Sequence, residues 1–258
     1  MNSKLIEKSR KLICTKLSTD FRASTQLVPV QIPQPLPKGC VLVKTTHVAV
    51  NASDVNFTAG KYTPDVSPPF DVGFEALAEV VEAASDVDSV SVIPRQHQPA
   101  PRLHCLQLKA GDAVAITQFG AFSELLVTKA KAAVPLPEAD PQVRVFLWSI
   151  ERHVDTVSLQ MMPLFVSGLT ASIALEEVGE MPQSGGGCTV LVTAAAGGTG
   201  QMAVQLAKAA GHTVIGTTSS DSKGEYLKSL GVDRVVNYKT EDLHAVLKKE
   251  YPSGIDIV

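Results

Sequence analysis

The run Thr189 to Gly211, TVLVTAAAGGTGQMAVQLAKAAG, leaves a chain few folds to choose from. Val190, Leu191 and Val192 form the continuous apolar run of a central parallel strand. A turn of small residues follows, then a helix-forming stretch that ends at Gly211. Ala195, Gly197 and Gly200 fall at the offsets of the dinucleotide fingerprint, with alanine in the first glycine position. Gly198 and Thr199 complete the turn. Such a turn lets backbone approach a pyrophosphate, and the next helix aims its first amides at the negative charge. The feature points to a nicotinamide or flavin dinucleotide. On its own it also fits an ordinary strand-to-helix turn, so the neighbouring segments decide.

Three more short apolar segments follow at nearly constant spacing: Thr213 to Thr217, Arg234 to Tyr238 and Ile255 to Val258. Helical stretches lie between them, the alternation expected of βαβ units. Ser222 with Glu225 has the spacing of a capping box, and Gly231 suits a helix exit. Thr240 is the expected cap of the next helix. Glu241 and Asp242 would lie in its first turn and Lys248 and Lys249 in its last, with Pro252 blocking continuation.

The end of the second strand selects the dinucleotide. Folds that prefer NAD carry Asp or Glu there, about 20 residues past the glycine turn, for the ribose hydroxyls. This chain has Gly216, Thr217, Thr218, Ser219 and Ser220. Small hydroxyl residues with a cation nearby suit a 2′-phosphate. Lys223 is that cation, and Tyr238 can close the same pocket. The expectation is NADP(H), with Asp221 turned toward the start of its helix. A lone Lys223 also fits a solvated surface lysine.

Composition bounds the rest. The chain has 258 residues, a net charge of −3 and 45% hydrophobic content, enough for one large or two ordinary domains. It has no basic patch for nucleic acid and no apolar run long enough to span a bilayer. The stretch from Met1 to Leu17 lacks a signal-peptide core. Cys14, Cys40, Cys105 and Cys188 show no zinc-ribbon or redox spacing, so reduced thiols are expected. Six histidines are dispersed without ligand spacing.

Before about Pro137 the pattern changes to short strands, prolines and glycine turns, as in Cys40 to Val50, Ala76 to Ala83, Ala113 to Thr117 and Phe122 to Val127. This predicts a β-rich, barrel-like domain ahead of the nucleotide domain. VNASD (Val50 to Asp54), GKY (Gly60 to Tyr62), PPFDVGFE (Pro68 to Glu75), GDAVA (Gly111 to Ala115) and AAGGTG (Ala195 to Gly200) occur in a familiar order. On these motifs the chain resembles the medium-chain dehydrogenases/reductases, in their quinone oxidoreductase branch. Lys11 to Arg22 and Leu227 to Glu241 are similar, more narrowly, to prostaglandin reductases.

That resemblance implies an α/β fold: an N-terminal GroES-like β-rich barrel over 1–160 and an incomplete Rossmann parallel sheet over 161–258. Zinc alcohol dehydrogenases place cysteine where this chain has Asn51 and histidine where it has Phe74. Phenylalanine cannot ligate and an amide is a poor zinc ligand, so no metal is expected. The implied reaction is reduction of an activated C=C bond with NADPH. The substrate would be a small enone or a 15-oxoprostaglandin, with a quinone as the near alternative. Ala195, Gly197, Gly198, Thr199, Gly200, Ser219, Lys223 and Tyr238 would hold the cofactor. Asn51 and Tyr62 match positions at the nicotinamide and substrate cleft, while Tyr62 also fits a loop aromatic packed on the barrel. Asp54 and Glu75 are expected to be structural.

The resemblance also allows a homodimer and implies a peroxisomal location. The chain shows no Ser-Lys-Leu address, which leaves cytoplasm or mitochondrion open. Stretches near 85–107 and 142–160 have no counterpart in the resemblance and are expected to be loosely packed additions. A full dinucleotide fold has six strands, and this sequence supplies four. The expectation is a shortened chain with Ile255, Ile257 and Val258 on an unprotected sheet edge, and a non-catalytic fragment stands as the competing reading.

Overall fold

A computed structural model describes residues 8–63, 65–87, 90–91, 105–106, 108–136 and 162–258. The chain divides into two compact units, Met1–Met162 and Pro163–Val258.

The first unit is built from short antiparallel strands. Strands β1 (Arg10–Cys14), β2 (Thr25–Pro29) and β4 (Phe70–Asp71) form one sheet in the order β2-β1-β4. Strands β3 (Cys40–Ala49), β5 (Glu75–Ala83), β8 (Ala113–Thr117), β9 (Leu125–Lys129) and β10 (Ala133–Pro135) form a second, ordered β10-β8-β5-β3-β9. The long strand β3 starts with four buried residues and then alternates, as a strand does when it passes from a covered to a half-exposed region. Val41, Val43, Val80, Val114 and Ile116 fill the core, and β-branched side chains suit this pleated surface. Short helices α1 (Phe21–Ser24) and α2 (Ala52–Thr58) sit in the connections.

Part of the stretch near 85–107 is ordered as a ribbon: β6 (Val90–Ser91) pairs antiparallel with β7 (Cys105–Leu106). The remainder of that stretch beyond 87, and all of 142–160, lie outside the described residues.

The second unit is the parallel sheet. A helical segment opens it, with π-type turns at Leu164–Gly168 and Ile173–Val178 around α3 (Leu169–Ser172). Strands β11 (Thr189–Val192), β12 (Thr213–Thr218) and β13 (Arg234–Asn237) pair in parallel in that order. Helices α4 (Gly198–Ala209) and α5 (Asp221–Ser229) cross between them, and α6 (Leu243–Glu250) follows β13. Val190, Val192, Val204, Val214 and Leu227 pack one face. Leu191, Ile215 and Val236 pack the other against Leu243 and Val246. Burial on both faces explains why these strands read as unbroken apolar runs. Gly231, at φ +89°, makes the exit from α5.

Three sequence expectations need correction. The cap of α5 is Ser220, whose Oγ accepts from the Lys223 amide at 3.5 Å. Ser222 instead meets the Ser220 hydroxyl, and Glu225 pairs with Lys228. The cap of α6 is Asp242, which accepts from Ala245 N at 3.0 Å. Thr240 and Glu241 lie before the helix, where Thr240 Oγ1 bonds to Asn237 O and Glu241 is taken by Arg234. The final segment is one parallel bridge, Val190 to Ile257, rather than a strand. It lies on the β11 side away from β12, held by Leu191 N to Ile257 O at 2.8 Å and Thr189 N to Asp256 Oδ2 at 2.7 Å. Ile255 and Ile257 are half-buried, so of the three residues expected on a bare edge only Val258 is exposed.

Candidate functional site

The turn after β11 is held from behind by β12. Ala194 N donates to Thr217 Oγ1 and Ala195 N to Thr217 O, both at 3.0 Å. Ala194 takes a left-handed conformation, φ +48°, and Gly197 N closes the turn on Ala194 O at 2.8 Å. That conformation costs an alanine roughly 1–2 kcal/mol, so the turn is held by its surroundings. Gly200 packs against the turn: a Cβ there would lie 2.5 Å from Ala194 O and 2.8 Å from Ala195 Cα. The first-turn amides of α4 have no carbonyl of their own helix to bond, and they give this end a partial positive charge.

Two clefts flank this turn within the second unit. The larger, about 380 Å³, is lined by Thr193, Gly197, Gly198, Thr199, Gly200 and apolar side chains that include Leu175 and Ile257. The smaller, about 180 Å³, is lined by Ala194, Gly197, Thr218, Ser219, Lys223 and Tyr238, among others. None of its lining residues is acidic. Ala194 and Gly197 belong to both. The buried Thr218 Oγ1 has no hydrogen-bond partner among the described residues. Tyr238 is half exposed, and Lys239 Nζ stands 5.7 Å from its ring centroid. Sequence reasoning passed over Lys239; its only signal is adjacency to Tyr238.

All eight residues expected to contact a dinucleotide are therefore in one region. Seven line a cleft, and Ala195, fully buried, underlies the turn.

Asn51 and Tyr62 belong to the first unit. Asn51 precedes α2, and its amide N–H donates to Asp54 Oδ2 at 2.7 Å. Its side-chain Nδ2 donates to Glu75 Oε2 at 3.1 Å. Asp54 and Glu75 are both buried, and burial pushes the Asp54 carboxyl up, opposed by the Asn51 bond. Tyr62 is 59% exposed, with no hydrogen-bond partner among the described residues. Phe74 packs edge-on against Phe119, 5.2 Å between ring centres, and Phe119 lies 4.8 Å from Phe57. Among the described residues, no group of three or more His, Cys, Asp or Glu is placed to share a metal ion. No helix among them is long and apolar enough to cross a membrane.

Comparison with known proteins follows the same division. Residues 37–138 match the alcohol dehydrogenase GroES-like domain family, and 198–258 match the zinc-binding dehydrogenase family. A probable quinone oxidoreductase of Leishmania amazonensis is 43% identical over 96% of this chain and 62% of its own length. Prostaglandin reductase-3 of Mus musculus is 41% identical over 96% of this chain and 56% of its own. The crystal structure of Escherichia coli quinone oxidoreductase complexed with NADPH superposes with a TM-score of 0.69 at 26% identity, covering 95% of this chain and 63% of that one.

A GroES-like β domain followed by a parallel sheet with this glycine turn defines the class. The chain belongs to the medium-chain dehydrogenase/reductase superfamily, in its quinone oxidoreductase branch. It spans about 56–62% of the length of these two curated relatives.

Proposed function

We propose that this chain binds NADPH and serves the reduction of the C=C bond of an α,β-unsaturated ketone, with 15-oxoprostaglandins as the substrate class. The observation that carries the reading is the small cleft: Ser219, Lys223 and Tyr238 line it together and no carboxylate does. A 2′-phosphate needs a cation and hydroxyl donors there, and a ribose diol would favour an acid.

The fit of the dinucleotide rests on the backbone. The space a Gly200 side chain would need is closed by Ala194 and Ala195, so the turn brings main chain to the cleft surface. The amides of Gly198, Thr199 and Gly200 would hold a pyrophosphate, and Lys223 and Ser219 would hold the 2′-phosphate. When bound, NADPH supplies the hydride.

The chain's own residues position and exclude. Asn51, fixed by its Nδ2 bond to Glu75 and by the capping box with Asp54, would orient cofactor or substrate. The Tyr62 hydroxyl, exposed and without a partner among the described residues, would donate to the substrate carbonyl oxygen and so stabilise charge that develops there. The Phe57, Phe74 and Phe119 rings offer an apolar wall. Such a wall also suits a flat quinone, which makes quinone reduction the second reading.

Incubation with NADPH and either a 15-oxoprostaglandin or a simple quinone tests both. NADPH oxidation with formation of the saturated ketone is the expected result. Turnover of the quinone alone favours the second reading, and turnover of neither rejects catalysis by these 258 residues.

A further inference from the structure

Asp221 stands next to the small cleft in sequence yet is absent from its lining. It is the first residue of α5, two positions after Ser219 and two before Lys223. A free carboxylate there could swing toward the phosphate subsite and oppose a dianion. It is tied instead: Asn237 Nδ2 donates to Asp221 Oδ1 at 2.8 Å.

Asn237 is the last residue of β13 and is buried. Its side-chain orientation is fixed by a second bond, since Oδ1 accepts from Lys239 N at 3.2 Å. An acceptor engaged there leaves the amide nitrogen to face Asp221. Its backbone is pinned as well, with Asn237 N donating to Glu241 Oε1 at 3.1 Å and Asn237 O accepting from Glu241 N at 2.8 Å. The next residue, Tyr238, lines the cleft and donates its amide to Thr218 O. One rigid amide therefore lies between the cleft wall and the nearby acid.

We propose that Asn237 is a specificity-positioning residue: by holding Asp221 on the β13 side it keeps negative charge out of the 2′-phosphate subsite and so sets the preference for NADPH over NADH. This rests on the NADPH reading above. Asn237 touches no cofactor in this account; it acts only through Asp221.

The test is a double-mutant cycle read as dissociation constants for NADPH and NADH by fluorescence titration. Asn237→Ala should weaken NADPH about tenfold and NADH by less than about twofold, the size of effect expected when one like charge is freed near a phosphate. Asp221→Asn should change the NADPH/NADH ratio by less than about twofold, because its charge is already held away. In the Asp221→Asn background, Asn237→Ala should then leave that ratio unchanged. A tenfold loss that persists in that background, or equal weakening of both cofactors, overturns the proposal and makes Asn237 a structural residue. Thermal unfolding of each variant checks folding, and Asn237→Ser, smaller but polar, should give an intermediate ratio if the alanine variant does not fold. Lys223→Ala separates the two claims. If it abolishes the NADPH preference while Asn237→Ala does not, the cofactor reading stands and this proposal falls. If the unaltered protein does not discriminate the cofactors, both fall.

Discussion

The α-carbon of Gly200 faces the Ala194 carbonyl so closely that a Cβ on it would lie 2.5 Å from that oxygen. Helix α4 can therefore start directly beneath the turn, with its first amides at the cleft. The small side chains of the AAAGGTG run are a steric requirement, since Ala194 and Ala195 approach the same point.

Substitution Gly200→Ala reverses the usual benefit of alanine in a helix. That benefit is about 1 kcal/mol, and the contacts at 2.5 and 2.8 Å are with backbone, which cannot rotate away. Overpacking of this kind costs about 1–3 kcal/mol. Chemical denaturation should show a net loss of stability, and NADPH titration a weaker complex. A stable variant with undiminished binding would contradict the close-approach argument.

Lys223→Ala removes the cation that lines the small cleft. A hydrogen bond to a charged group contributes about 1.5–3 kcal/mol, so NADPH affinity should fall about tenfold to a hundredfold, with NADH little changed. Titrations at low and high salt should show a shallower salt dependence for NADPH in the variant. Equal losses for both cofactors would remove the 2′-phosphate assignment.

His212 is a buried pin between two backbone segments. Cys188 N donates to its Nδ1 at 3.3 Å, so the proton is on Nε2, which donates to Pro182 O at 2.9 Å. His212→Leu fills the space but leaves the Cys188 amide and the Pro182 carbonyl without their partner; Pro182 is exposed, so water can take up its carbonyl. A fall in stability of about 1–3 kcal/mol in urea unfolding is expected, the cost of one buried unpaired group. His212→Gln, which can supply one of the two bonds, should lose less.

Acid should weaken the second unit through Arg234. Its guanidinium meets Glu241 at 2.7 Å and Glu250 at 2.8 Å. Hydrogen bonding to Arg234 holds both carboxyls below their ordinary range. A depressed folded-state pKa means the unfolded chain binds more protons through that window. The stabilisation is thus complete above the ordinary carboxylate range, about pH 4–5, and lost as pH falls through the lower folded values. Urea midpoints from about pH 7 down to about pH 3 should fall less steeply in Arg234→Gln than in the unaltered chain. Parallel curves would show that the triad does not report on acid stability.

The sequence revealed features that backbone geometry enforces locally. The apolar runs at β11 and β12, the small-residue turn and the glycine exit at Gly231 each leave a signature within a few residues. Helix starts were legible only to within a turn. In the run Ser219, Ser220, Asp221, Ser222 several side chains can cap, and the helix axis, set by packing of Leu227 and Gly224, selects Ser220. Before α6 the Arg234 pair draws Glu241 away, leaving the cap to Asp242. The Asn237 to Asp221 bond was invisible because its partners lie sixteen residues apart and meet only through the sheet. Asn51 was visible as a motif residue, whereas its bond to Glu75 depends on β5 pairing with the end of β3, where Glu75 lies opposite Ala49.

The central claim is that this turn and cleft select a dinucleotide bearing a 2′-phosphate. The most direct measurement is titration of the 258-residue chain with NADPH and, separately, NADH, followed by cofactor fluorescence. Saturable NADPH binding at least about tenfold tighter than NADH is expected, the margin one charge-assisted phosphate contact supplies. Equal affinities, or preference for NADH, would contradict it.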